Sequence, residues 1–187
     1  MIKPWKILSS KVSADYKIFR IRVDEAVSPR THASGAFYTL QSSHWVNVIP
    51  LTHDREVVMI RQYRHGSRRV TLEIPGGIVD EADPKDAAIR ELFEETGYRG
   101  QKVSLLGSTN PNPAIFDNQC YTYLVEDAAK AGDAALEADE DIEVELVPLS
   151  SLPALIRDGT IDHALVIVAF HFFFQHNGCP EGPCSGS

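Results

Sequence analysis

Residues 88–98 read AIRELFEETGY and set three glutamates, Glu91, Glu94 and Glu95, just ahead of a glycine. The stretch is the second half of an expected helix over 83–96, with Asp83 able to cap it, Pro84 at its first helical position and Gly97 past its last turn. At about 100° per residue the three carboxylates share one arc, and Ile89 and Phe93 lie opposite, toward a core. Like charges at i, i+3 and i+4 repel, so the arc costs helix stability if nothing neutralises it. A divalent cation reverses that sign, because Mg²⁺ or Mn²⁺ takes carboxylate oxygens and leaves room for water and substrate phosphate. Arg90, four residues before Glu94, can hold a carboxylate through paired N–H donors. The plain alternative is a solvated acidic face with one Arg–Glu pair.

On both sides of this helix the chain turns to strand character. Residues 5–9, 16–27 and 36–42 read as the strands of a small N-terminal antiparallel sheet. WVNVIPL and EVVMIRQYR form a strand pair around the THDR turn, and VTLEIP is a further short strand. After the helix come strands KVSLLG, QCYTYLVE and IEVELVPL, then helices over SLPALIRD and IDHALVIVAFHFFFQH. No internal repeat is present.

The chain has 187 residues and a formal net charge of -8, from 26 acidic and 18 basic side chains. That length suits one domain with a small appendage, and that charge disfavours a nucleic acid partner while suiting a divalent cation. No apolar run reaches membrane-spanning length and MIKPWKILSS turns polar at once, so a soluble, cytoplasmic protein without a membrane partner is expected. The three cysteines, Cys120, Cys179 and Cys184, are too few and too odd in number for a disulfide framework and fit a reducing compartment. His176, Cys179 and Cys184 can be drawn as metal ligands, but no fourth ligand completes a tetrahedral set, and the Gly, Pro and Ser of the tail read as a flexible end.

EIPGG at 73–77, a loop, the capped helix and RELFEETGY closely resemble the Nudix box. Arg90, Glu91, Leu92, Glu94, Glu95, Gly97 and Tyr98 fill the second half of that pattern. The first half departs from it: eight residues before Arg90 stands Ala82 where the family has Glu, while Asp83 has the right distance from Gly77 but lies one residue too close to Arg90. Either the loop is one residue short or the first acid is replaced, with Glu81 and Asp83 flanking the gap. The resemblance implies an α/β (α+β) fold, an α/β/α sandwich with a mixed β-sheet, and metal-assisted hydrolysis of a nucleoside diphosphate linked to another moiety. It implies Glu91, Glu94 and Glu95 as metal ligands beside the Gly76 carbonyl, with Mg²⁺ the expected ion and Mn²⁺ possible in its place, and structural roles for Arg90 and Gly97.

RQYRHGSRRVTLEIPGG at 61–77 further resembles the lead into the box of ADP-ribose pyrophosphatases and related nucleoside-diphosphate-sugar hydrolases. Arg61, Arg64, His65, Arg68 and Arg69 concentrate basic side chains there, and guanidinium pairs well with phosphate oxygens. Arg61 and Arg64 are the substrate-binding candidates, against a solvated strand and loop; Glu73 either reaches the site or pairs with one of the arginines. Pro113 lies near the proline that this branch carries after its box, although Asn112, Pro113 and Ala114 replace the usual Ser-Pro-Gly; Phe116 either stacks on a base or fills the core. EADEDIEVELVPL at 137–149 resembles the acidic loop that carries the general base, which points to Glu140, with Glu137 in reserve.

Residues 1–45 resemble the extra sheet with which such enzymes dimerise, residues 46–176 the hydrolase domain, and residues 177–187 a tail; Trp5, Phe19, Phe37, Tyr38 and Trp45 are the interface candidates. The resemblance therefore implies a homodimeric pyrophosphatase with a small-molecule nucleotide-sugar substrate, ADP-ribose leading, giving AMP and ribose 5-phosphate. GDP-mannose or another sugar nucleotide is the alternative, and a non-catalytic nucleotide-binding protein of the same fold is the alternative of another class. A triphosphate sanitiser fits the N-terminal extension less well, and a capped-RNA hydrolase fits the charge less well.

Overall fold

Alternating side chains carry the N-terminal third into three antiparallel strands, β1 (Lys6–Asp15), β2 (Arg20–Val27) and β3 (Ser34–Gln41). In this computed structural model residues 1–80, 82–138 and 140–177 are described; Glu81, Cys179, Cys184 and the expected tail beyond 177 lie outside them. β2 and β3 pair without interruption from Arg20↔Gln41 to Val27↔Ser34. The first strand runs on to Asp15 where it was expected to end at 9, and residues 16–19, expected as strand, form the turn closed by Tyr16 N–H donating to Phe19 O at 2.9 Å. Pairing with β2 overrides the weak strand propensity of Lys11–Asp15.

The chain divides into two compact units, the first made of residues 1–44 with 110–119 and the second of residues 45–109 with the chain from Cys120 on. Within the first, Leu40 N–H donates to Ile115 O at 2.7 Å, and Arg22 and Gln41 both donate to the Asp117 carboxylate at 3.1 Å.

The second unit contains β4 (Trp45–Leu51), β5 (Glu56–Arg64), β6 (Arg69–Glu73), β7 (Gly76–Ile78), α1 (Pro84–Thr96), β8 (Tyr98–Arg99), β9 (Lys102–Thr109), β10 (Cys120–Glu126), β11 (Ala129–Lys130), β12 (Ile142–Pro148), α2 (Leu152–Arg157) and α3 (Ala164–Asn177). Its main sheet runs β12-β5-β4-β10-β9, with β6 on β5 and β7 on β4. It is mixed, because β10 lies parallel to β4 and antiparallel to β9.

Successive residues of a strand face opposite sides, and β4 and β10 use this to serve two cores. Val46 and Val48 with Tyr123 and Val125 pack on Ala87, Ala88 and Leu92 of α1. Ile49 and Leu124 join Phe170, Phe173 and Leu152 of α3 and α2. The sheet is thus covered by helices on both faces, an α/β/α arrangement.

α1 begins as its sequence dictates: the Asp83 side chain accepts from Lys85 N–H at 2.9 Å, Pro84 is helical, and Gly97 ends the helix in a left-handed conformation. Its buried face differs from expectation. Ala87, Ala88, Leu92, Glu95 and Thr96 are buried, whereas Ile89 is exposed and Phe93 half-buried under the Arg99 guanidinium, 4.1 Å from its ring centre. The arc centred on Leu92 faces the sheet, and it takes Glu95 inward with it.

Candidate active site

β4 and β5 are paired only at Leu51↔Val57 and then diverge, β7 pairing with β4 and β6 with β5. The opening between them is a cleft of about 670 Å³, lined among others by Asn47, Arg64, Glu73, Gly76, Gly77 and His163. Two glycines give close approach at its edge, Gly76 to fixed backbone and Gly77 to a side chain. A Cβ at Gly76 would fall on the Val46 carbonyl of β4, and one at Gly77 would fall on the Glu91 carboxylate.

Glu95 is 4% exposed, and Gly76 N–H donates to its Oε2 at 2.9 Å. Burial pushes its carboxyl up to about 8; the Gly76 hydrogen bond opposes this, while the charges of Glu91 and Glu140 add to it. Burial likewise pushes Glu91 up to about 7 against the pull of Arg90, with Glu94 and Glu140 again raising it. Glu140 thus acts through its charge on both carboxylates in the same direction. Its own carboxylate accepts from Glu137 N–H at 2.9 Å, in a turn that leaves Glu137 exposed.

Arg90 ties the helix to the preceding loop. Its guanidinium donates to Glu94 at 2.8 Å and to Asp80 at 2.8 Å, reaches the Ile78 carbonyl, and lies 3.0 Å from Glu91. Asp80 thus supplies an acid to Arg90 from the loop whose pattern position is Ala82, while Asp83 is occupied as the helix cap. Glu94 is turned to Arg90 and is 40% exposed, so it does not share the buried setting of Glu91 and Glu95.

A divalent cation fits this donor set. Two carboxylates are held in a buried, mutually repulsive arrangement and raised well above the usual range, which leaves cation charge wanting at that point. Among the described residues no trio of His, Cys, Asp or Glu forms a ready-made cage, so substrate and water oxygens would have to complete the shell.

The basic lead into the box divides. Arg64 donates through both Nε and Nη2 to Glu73, at 2.8 and 2.7 Å, and Thr71 hydroxyl donates to the same carboxylate at 2.6 Å. Burial alone would raise the Glu73 carboxyl, but the Arg64 hydrogen bonds and charge, with Thr71 and His163, hold it below its ordinary value. Glu73 and Arg64 are therefore paired with each other and line the cleft together. Arg61 instead bonds Glu145 of β12 at 2.6 Å and is not among the lining residues. Pro113 falls in the 110–119 segment that belongs to the first unit, not among the cleft residues.

The cleft also contains groups that sequence reasoning missed. Asn47 is buried and donates to Leu165 O at 3.2 Å, while its Oδ1 and the His163 Nδ1 have no hydrogen-bond partner among the described residues. Asn47 left a signal, since it is the lone polar side chain in WVNVIPL; His163, just before α3, left none. Cys120 lines the cleft too, its thiol pushed up to about 12 by burial and so inert.

A NUDIX domain profile matches residues 44–170, and the chain belongs to the Nudix family. It is 30% identical over 159 residues to the methanol dehydrogenase activator of Bacillus methanolicus, covering 83% of this chain and 85% of that protein. It is 28% identical over 129 residues to the ADP-ribose pyrophosphatase of Bacillus subtilis, covering 68% and 70%. A crystal structure described as an ADP compounds hydrolase superposes with a TM-score of 0.80 over 95% of this chain and 98% of its own, at 20% identity, a likeness of fold. Among the described residues no helix is long and apolar enough to cross a membrane.

Proposed function

We propose that the protein hydrolyses the diphosphate bond of nucleoside diphosphate sugars, with ADP-ribose the leading substrate, giving AMP and ribose 5-phosphate. The observation that carries this reading is a cleft whose wall presents Arg64 and whose edge glycines meet the two glutamates, Gly76 N–H bonding Glu95 and Gly77 lying against the Glu91 carboxylate. Similarity to an ADP-ribose pyrophosphatase points to the same substrate class.

Glu91 and Glu95, with the Gly76 carbonyl, are the residues to hold Mg²⁺, and Glu94 is available only if Arg90 releases it. Bound there, the ion would neutralise diphosphate charge and lower the pKa of attacking water. Glu140 takes that water's proton as its oxygen attacks phosphorus and the bridging P–O bond breaks. The Arg64 guanidinium, fixed by Glu73, steadies phosphate oxygens at the cleft wall. The cysteine usage suits a reducing, cytoplasmic setting.

The test is phosphate release, coupled to alkaline phosphatase, from ADP-ribose, ADP-glucose, GDP-mannose, UDP-glucose, dinucleotides and nucleoside triphosphates, with and without Mg²⁺. Turnover that requires the metal and is confined to sugar nucleotides is expected. Silence across the panel from a folded protein that binds ADP-ribose would overturn the enzyme reading in favour of a receptor.

A homodimer belongs to the same proposal. The first unit exposes Ile7, Leu8 and Val12 on β1, and Phe37 and Tyr38 on β3, a concentration of apolar surface that a second copy would cover. Light scattering is expected to give twice the chain mass; a monomer at micromolar concentration would refute it.

A further inference from the structure

The last turn of α1 carries no basic side chain of its own, and the carbonyls of Glu94, Thr96 and Gly97 at this end accept from one distant segment. Lys130 Nζ donates to Thr96 O at 2.8 Å and lies 5.6 Å from the centre of the Tyr98 ring. Ala131 and Gly132 N–H groups donate to Gly97 O at 2.8 and 3.2 Å, and Ala135 N–H donates to Glu94 O at 2.7 Å. Just before these bonds β11 pairs with β8, Lys130 opposite Tyr98. The fit is tight, since a Cβ at Gly97 would fall on the Gly132 carbonyl and one at Gly132 would press on Phe93. Glu140, the general base of the proposed function, follows Ala135 by five residues in the sequence.

We propose that Lys130 is a positioning residue for catalysis: by binding the C-terminal carbonyl of α1 it clamps the 130–135 segment to the helix carrying Glu91 and Glu95, and so fixes where Glu140 stands. The inference rests on the reading of Glu140 as general base. Physically, the ammonium supplies the positive charge that a helix C-terminus favours, and it arrives from the base-bearing segment and not from the helix. Base and glutamate helix then move as one piece, which is the condition for a proton acceptor to meet the attacking water at the right distance.

The experiment is a double-mutant cycle between Lys130→Met and Glu140→Gln, read by kcat and KM for ADP-ribose with saturating Mg²⁺, together with amide exchange at Ala131, Gly132 and Ala135. Lys130→Met is expected to lower kcat by about 10-fold with KM changed less than about twofold, and to cost less than about twofold further when Glu140 is already Gln. Lys130→Arg, which keeps charge and donors, is expected to restore most of the rate. Exchange at the three amides should quicken in Lys130→Met. An equal loss in both backgrounds, an unchanged kcat, or unchanged exchange would each overturn the clamp. A wild-type rate for Glu140→Gln alone would instead refute the base assignment, and the exchange data would still decide whether Lys130 holds the segment.

Discussion

Glu140→Gln is expected to lower kcat by about 10³-fold while KM for the sugar nucleotide moves less than about threefold. The amide is nearly the carboxylate's shape and can still accept the Glu137 N–H, so the turn holding residue 140 survives. What it loses is the ability to take a proton. The Glu140 charge raises both Glu91 and Glu95, so removing it relieves repulsion and leaves metal binding no weaker by that route. Steady-state kinetics with calorimetric measurement of Mg²⁺ affinity separates the two effects. A rate near wild type would pass the role to Glu137.

Glu95→Gln is expected to abolish turnover yet leave the metal-free protein at least as stable as wild type. The sign follows from burial. A carboxyl raised to about 8 from an ordinary 4.5 contributes stability fully below 4.5 and loses it as pH climbs through 8, because the folded state resists ionisation. Wild type without metal should therefore lose melting temperature between pH 5 and pH 8.5, with Glu91, raised to about 7, adding to the slope. Gln at 95 keeps an oxygen for Gly76 N–H and has nothing to ionise. At pH 8, without metal, its melting temperature should lie ~3–8 °C above wild type. Added Mg²⁺ should stabilise wild type at that pH and leave the variant unmoved. A lower melting temperature for the metal-free variant would mean that Glu95 is a structural anion and not a site held ready for a cation.

Sequence showed some of these elements clearly because their signals were local. Asp83, Pro84 and Gly97 bound α1 through capping chemistry that acts within one turn. The division of labour among the glutamates was not visible. Helical angle alone puts Glu94 in the same arc as Glu91 and Glu95, and only the packing of Leu92 on the sheet and the reach of Arg90 decide which of them is buried. Arg61 and Arg64 look alike in RQYR, but they are separated by which acid β5 meets across its pairings, Glu145 on β12 or Glu73 on β6. Asn47 and His163 enter the cleft because β4 and β5 diverge, a tertiary event hinted at by the lone polar residue of WVNVIPL and left unmarked at His163.

The splitting of the first unit between residues 1–44 and 110–119 bears on how the chain is made. On the ribosome β1 to β3 emerge early and can form their hairpins from near neighbours. The strand edge at Leu40 must then wait for Ile115 and Asp117, which arrive only after β4 to β9 have been translated. Its late partner is separated by a long stretch of sequence, so that closure carries a loop-entropy cost and should be among the slower steps of folding. In the interval the Leu40 edge of β3 is left without these partners in every nascent copy. Chaperone demand for this protein should accordingly concentrate on that window of synthesis.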